Sequence, residues 1–106
     1  MMHVIISIYP SKVTVDDLYK QMVGIFSNSL DVVKIPLHHY RNTTVIFLDN
    51  AVVMVGISNE PYRHVEVDII TKLSELHWLV AMVMDMLEQA GVNIESEVFV
   101  WVGKWQ

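Results

Sequence analysis

The sequence predicts an α+β domain: an antiparallel sheet in the order β-α-β-β-β-β-α-β, with two helices on one face, formed by residues 1–106 as a single unit. Three observations predict it. Strand-like stretches cluster between two helical stretches, which is how an antiparallel sheet carries its helices on one side. Asp49-Asn50 separates two apolar runs and makes a tight hairpin candidate, because both residue types tolerate positive φ. The runs flanking that hairpin are apolar on both faces, whereas an antiparallel strand with one solvated face normally alternates.

Taken in order, His3 to Tyr9 reads as a strand with Val4, Ile6 and Ile8 on one face, stopped by Pro10-Ser11. Thr14 followed by Asp17 is a variant capping box opening a helix from Val15 to Ser27. Its apolar face is Val15, Leu18, Tyr19, Met22, Ile25 and Phe26. Asp31 to Tyr40 is read as a strand, and Pro36 within it predicts a bulge or an edge position. Arg41-Asn42 turns the chain into Thr43 to Leu48, and Ala51 to Ser58 returns after the hairpin. The turn Asn59-Glu60-Pro61-Tyr62 leads into a strand from Arg63 to Ile70. A second helix, Ser74 to Ala90, is expected to end at Gly91 in a left-handed cap. Val98 to Val102 is the last strand.

The double-sided apolarity has a consequence for assembly. Val45 and Phe47 point away from Ile46 and Leu48, and Val52 and Met54 away from Val53 and Val55. Two helices cover only one of these sets. A second copy packed sheet to sheet is the most economical cover for the other, so a homodimer is expected. The hydrophobic share of 53% exceeds the ordinary 45–50% or so and agrees with a buried interface or a dry cavity. The second helix is apolar around much of its circumference, at Leu76, Leu79, Val80, Met82, Val83, Met84, Met86 and Leu87. Packing beneath the first helix and the last strand explains that spread more simply than a methionine-rich partner surface.

Charge and composition exclude several functions. A net charge of −5, with seven scattered Lys and Arg residues, argues against nucleic acid as a partner. The absence of cysteine excludes disulfides, thiolate zinc sites and thiol catalysis. The start MMHVIISIYPSK lacks a basic flank and an A-x-A site, so it does not read as a signal peptide. The longest apolar runs are far short of the ~20 residues of a membrane span. No membrane association and a cytoplasmic location are expected.

Candidate chemistry is sparse. His64, Glu66 and Asp68 alternate along one strand and leave the same face. With His38 on a neighbouring strand they could hold Zn²⁺ or Mn²⁺, or act as acid and base. Alternating polar residues are more commonly a solvated or interfacial strand face, so no resident metal or cofactor is expected. His38 and His39 are neighbours and point to opposite faces, so one of them meets the core or the partner copy. Serines lack a base at a telling spacing, and the four glycines are isolated, which leaves no phosphate loop. Glu95 with Glu97 reads as a solvated element end, Trp101 and Trp105 as a cover over the core edge, and Tyr62 as a turn residue able to line a pocket.

The element order and several short segments resemble the small prokaryotic S-adenosylmethionine decarboxylases, pyruvoyl-dependent enzymes of polyamine synthesis. His3 and Tyr9 sit where that family has His and Tyr on its first strand. "LHHY" (Leu37 to Tyr40), "SNEPY" (Ser58 to Tyr62) and "VDII" (Val67 to Ile70) are similar to its Phe-His-Arg-Phe, Thr-Trp-Pro-Glu-Tyr and Val/Ile-Asp-hydrophobic-Phe segments. The resemblance implies the half-unit fold and sheet-to-sheet pairing. It does not carry over the catalytic residues. The family cleaves a Glu-Ser bond in the hairpin and converts that Ser into a pyruvoyl group; here the hairpin is Asp49-Asn50, whose amide cannot do this. Val55 stands about where the processing His belongs, and Thr71 or Lys72 about where the catalytic Cys does. Glu95-Ser96 is the chain's only Glu-Ser pair, and cutting there would release the last strand.

The implied function is a non-catalytic, dimeric binding or regulatory module for a small nucleoside ligand or a partner protein. The partner is a second copy or a related enzyme that this chain would activate. Tyr40 falls near a family aromatic that stacks on adenine, and the expected ligand-binding residues are His38, Tyr40, Tyr62 and Asp68. The alternatives are a small metal- or acid/base-dependent enzyme using His38, His64, Glu66 and Asp68, and a purely structural oligomer.

Overall fold

The computed structural model describes residues 1–29, 34–36 and 43–104. Its elements are β1 (Met2–Ile8), α1 (Val15–Ser29), β2 (Lys34–Pro36), β3 (Thr43–Leu48), β4 (Ala51–Ser58), β5 (His64–Thr71), α2 (Leu73–Gln89), α3 (Ile94–Glu97) and β6 (Val98–Lys104). The six strands form one sheet in the order β2-β3-β4-β5-β1-β6, antiparallel at every junction. The expected α+β class, antiparallel sheet and strand sequence are therefore present. The first strand is inserted between β5 and the last strand, so chain-distant segments close the sheet.

Local chemistry explains the boundaries. Thr14 Oγ1 accepts the Asp17 N–H at 3.1 Å, which caps α1 as its sequence implies. Asp49-Asn50 forms the β3–β4 turn, with Leu48 opposite Ala51. Gly91 takes φ +86° just past α2, where the missing Cβ removes the left-handed penalty, and the Gly91 N–H donates to the Glu88 carbonyl. Pro36 lies on the edge strand β2, as its missing N–H requires. The remainder of the expected second strand, Asp31 to Val33 and Leu37 to Tyr40, lies outside the described residues.

Sidedness, which the alternation left open, is resolved. Val4, Ile6, Ile8, Ile46, Val53, Val55, Val65, Val67 and Ile69 form one buried cluster with Leu18, Met22 and Phe26 of α1 and Leu79, Val83, Met86 and Leu87 of α2. Both helices thus lie on one face. Leu76, Val80, Met82 and Met84 pack against that cluster half-buried, so most of the apolar girth of α2 is spent on the core.

Two readings need correction. Glu95 and Glu97 are not a pair of solvated ends. Asn93 Oδ1 accepts the N–H groups of Glu95 and Ser96 and caps the short helix α3, which sequence reading missed. Glu97 is buried: its carboxylate accepts the Asn93 N–H at 2.9 Å and the Ser11 hydroxyl, while its carbonyl accepts the Tyr9 N–H at 2.8 Å. These bonds, the Ser11 hydroxyl foremost, hold its pKa below the usual carboxylate value. The second correction concerns Trp101, which covers no core edge. It lies on the helix-free face, edge-on to His3 at 5.8 Å and directly over Gly103. Trp105 is outside the described residues.

Candidate functional site on the open sheet face

Register arranges the helix-free face in rows. Val45, Met54, Asp68, Ile5 and Trp101 run across β3, β4, β5, β1 and β6; beside them run Thr43, Gly56, Glu66, Ser7 and Phe99. A third row is Phe47, Val52, Ile70, His3 and Gly103. The face is therefore apolar at both ends, with a carboxylate pair in its middle. Phe47, Trp101 and Phe99 stand 42%, 52% and 61% exposed, which is unusual for side chains of this size.

A cavity of about 610 Å³ opens over the carboxylates. Thr43, Met54 and Gly56 form one wall, Glu66 and Asp68 the floor, and Ile57 to Glu60 the rim. The space exists partly because position 56 is glycine: a Cβ there would come within 2.6 Å of Thr43 Oγ1.

Asp68 is the most perturbed group in this site. Burial, the charge of Glu66 and a hydrogen bond shared with Glu66 together raise its pKa from 3.8 to about 7. Its Oδ1 is buried without a hydrogen-bond partner among the described residues. Glu66 is the more accessible of the two carboxylates, with a side chain 37% exposed. At neutral pH the pair can both accept and donate hydrogen bonds, the protonated carboxyl supplying the donor.

His64 is built in rather than presented. Its ring is 3% exposed, stacks on Tyr9 at 4.6 Å and donates from Nδ1 to the Tyr62 carbonyl at 2.7 Å. Its Nε2 lies 3.9 Å from Glu66 Oε1. Among the described residues no group of three His, Asp or Glu side chains is placed to hold a metal ion.

No family model, curated protein or solved structure matches this chain.

Of the expected ligand-binding residues that are described, Tyr62 and Asp68, Asp68 lines the cavity. Tyr62 is 74% exposed and contributes only its carbonyl, to His64. It therefore sits beside the site as a turn residue, because the chain reverses there and turns its ring to solvent. His38 and Tyr40 lie outside the described residues. Sequence reading missed Thr43, Gly56, Ser58, Asn59 and Glu60 as lining. The available signal was Gly56, an isolated glycine inside a strand, which marks a close approach of neighbouring groups. Among the described residues no helix is long and apolar enough to cross a membrane.

Proposed function

We propose that this chain is a non-catalytic binding module on a scaffold similar to the S-adenosylmethionine decarboxylase half-unit, holding a small nucleoside-type ligand in the open-face cavity. One observation carries the reading: Asp68 Oδ1 is buried in the cavity floor without a partner among the described residues. Buried polar atoms are almost always hydrogen-bonded, so a small shift of the cavity floor that lets a ligand donor reach this oxygen is favoured. A ribose hydroxyl supplies one, as carboxylates do for ribose in dinucleotide-binding folds. Met54 gives a polarizable apolar wall suited to a base or a sulfur-bearing chain.

The module works as a pair of copies, or paired with a related enzyme that it activates. Phe47, Met54 and Trp101 would then meet their counterparts across a sheet-to-sheet contact that roofs the cavity. The hairpin Asp49-Asn50 supports the non-catalytic part, because neither residue can become a pyruvoyl group.

Asp68 titrating near neutrality beside Glu66 favours a second reading, an acid/base enzyme using the pair, since such shifts cluster at catalytic sites. His64 would take part only through its 3.9 Å approach to Glu66. A structural oligomer with no ligand is the third reading.

Thermal shift with S-adenosylmethionine, its decarboxylated form and methylthioadenosine separates them. A ligand at 100 times its Kd stabilises by about 2.7 kcal/mol. A shift lost in Asp68→Asn, with the ligand recovered unchanged, fits the binding module. Conversion of the ligand favours the enzyme. No shift at millimolar concentration overturns the nucleoside assignment.

A further inference from the structure

The two edges of the sheet are unlike. Among the described residues the β2 edge is Lys34–Pro36, whose Lys34 and Pro36 discourage strand addition. The β6 edge runs for seven residues, VFVWVGK, with no proline and its only charge at the last position. Phe99, Val100, Trp101 and Val102 are 61%, 47%, 52% and 50% exposed, so this strand is bare on both faces. A sheet-to-sheet contact reaches Phe99 and Trp101 only. Val100 and Val102 are on the helix side, in register with Ile6 and Val4, and do not join the core cluster.

We infer that β6 pairs with β6 of a second copy, antiparallel about a twofold axis beside Val100, so that one sheet continues through both copies. Hydrogen-bond parity fixes the choice of partners. The Tyr9 N–H donates to the Glu97 carbonyl, so Glu97, Phe99, Trp101 and Gly103 turn their peptide groups toward β1. The N–H and C=O groups of Val98, Val100, Val102 and Lys104 therefore face outward from the sheet. A twofold at Val100 sets these outward groups against each other, Val100 with Val100 and Val98 with Val102. On the open face it brings Phe99 opposite Trp101, an aromatic cross-strand pair. The strand is thus complementary to itself in peptide groups and apolar side chains, and the Phe99–Trp101 pairing forms twice about the twofold, which favours a second copy over a foreign strand. This contact is made through the outward peptide groups of β6, which a sheet-to-sheet contact does not use, although Phe99 and Trp101 border both.

The cysteine-free sequence makes the test clean. Val100→Cys is expected to form a disulfide-linked dimer under mild oxidation, while a control cysteine at the exposed Ala81 stays largely uncrosslinked. Val100→Pro deletes only an outward N–H and spares the β1–β6 ladder. It should halve the mass seen by light scattering with the far-UV CD spectrum retained. Equal crosslinking of the two cysteine variants, or parental mass in folded Val100→Pro, overturns the inference. Should Val100→Pro fail to fold, the crosslinking result decides. Crosslinking that persists in Val100→Cys combined with Met54→Lys shows that the edge contact does not depend on the open-face contact, and its loss there overturns the independent edge.

Discussion

Gly56 and Thr43 face each other across β4 and β3, so closely that a Cβ on Gly56 would sit 2.6 Å from Thr43 Oγ1. That missing side chain helps keep the cavity open. Gly56→Ala is expected to destabilise the protein by about 1–3 kcal/mol through overpacking. It should also weaken any ligand-induced thermal shift. Paired denaturant melts of Gly56→Ala and Gly56→Ala with Thr43→Ala check this, the second change restoring most of the loss.

Asp68 sets a pH dependence of definite sign. Its folded pKa of about 7 lies above the ordinary 3.8, so between these values the folded state keeps a proton that the unfolded chain has released. Its contribution to stability is full below about pH 4 and falls as pH rises toward about 7. In Asp68→Asn that slope should vanish, leaving the variant relatively more stable at pH 7.5 than the parent. Urea melts at pH 5 and 7.5 measure the difference, and parallel slopes would remove Asp68 as its source.

Glu97 acts in the opposite direction. Its folded pKa lies below 4.5, so its stabilisation is present above that value and is lost as pH falls through the folded value. Glu97→Gln should therefore lose stability at pH 6 and converge with the parent in acid. Ser11→Ala should show a smaller change of the same form. A pH series of thermal melts distinguishes this from a uniform loss of packing.

For the open face, Phe47→Glu places a charge at the β3 end of an apolar row, and Met54→Lys places one opposite Asp68. If that face is covered by a second copy, both variants dissociate or unfold, since burying an unpaired charge is prohibitive. Light scattering and CD read the outcome. Variants that keep parental mass and melting point would mean the face stays wet.

Self-cleavage has a direct readout. Purified protein should show a single intact mass corresponding to 106 residues, give or take the initiator Met. Two fragments, one carrying a pyruvoyl end, would reverse the non-catalytic reading.

The fold was legible where local rules are strong. Thr14 and Gly91 each impose one backbone geometry, Asp49-Asn50 makes its turn without the positive φ that its residue types allow, and the period-two pattern named the core face of β1. Less legible were features that depend on pairing between distant strands. The sidedness of Val52–Met54 against Val53–Val55 follows from helix placement, which alternation alone does not encode. The role of Glu97 depends on Ser11 and Tyr9, distant in the chain. In the cavity, Asp68 was legible because His64, Glu66 and Asp68 alternate with apolar residues along one strand. Thr43 and Gly56 belong to it only through register, and Tyr62 lies exposed in its turn, the packing that its place after Glu60-Pro61 favours.

The asymmetry of the sheet margins carries a further consequence. Joining two protomers at β6 consumes the more receptive of the two described borders and leaves a Lys34/Pro36 border at either extremity. Growth along the hydrogen-bond direction therefore halts at a pair instead of running on into a fibril, and an otherwise hazardous greasy ribbon becomes a self-limiting coupling.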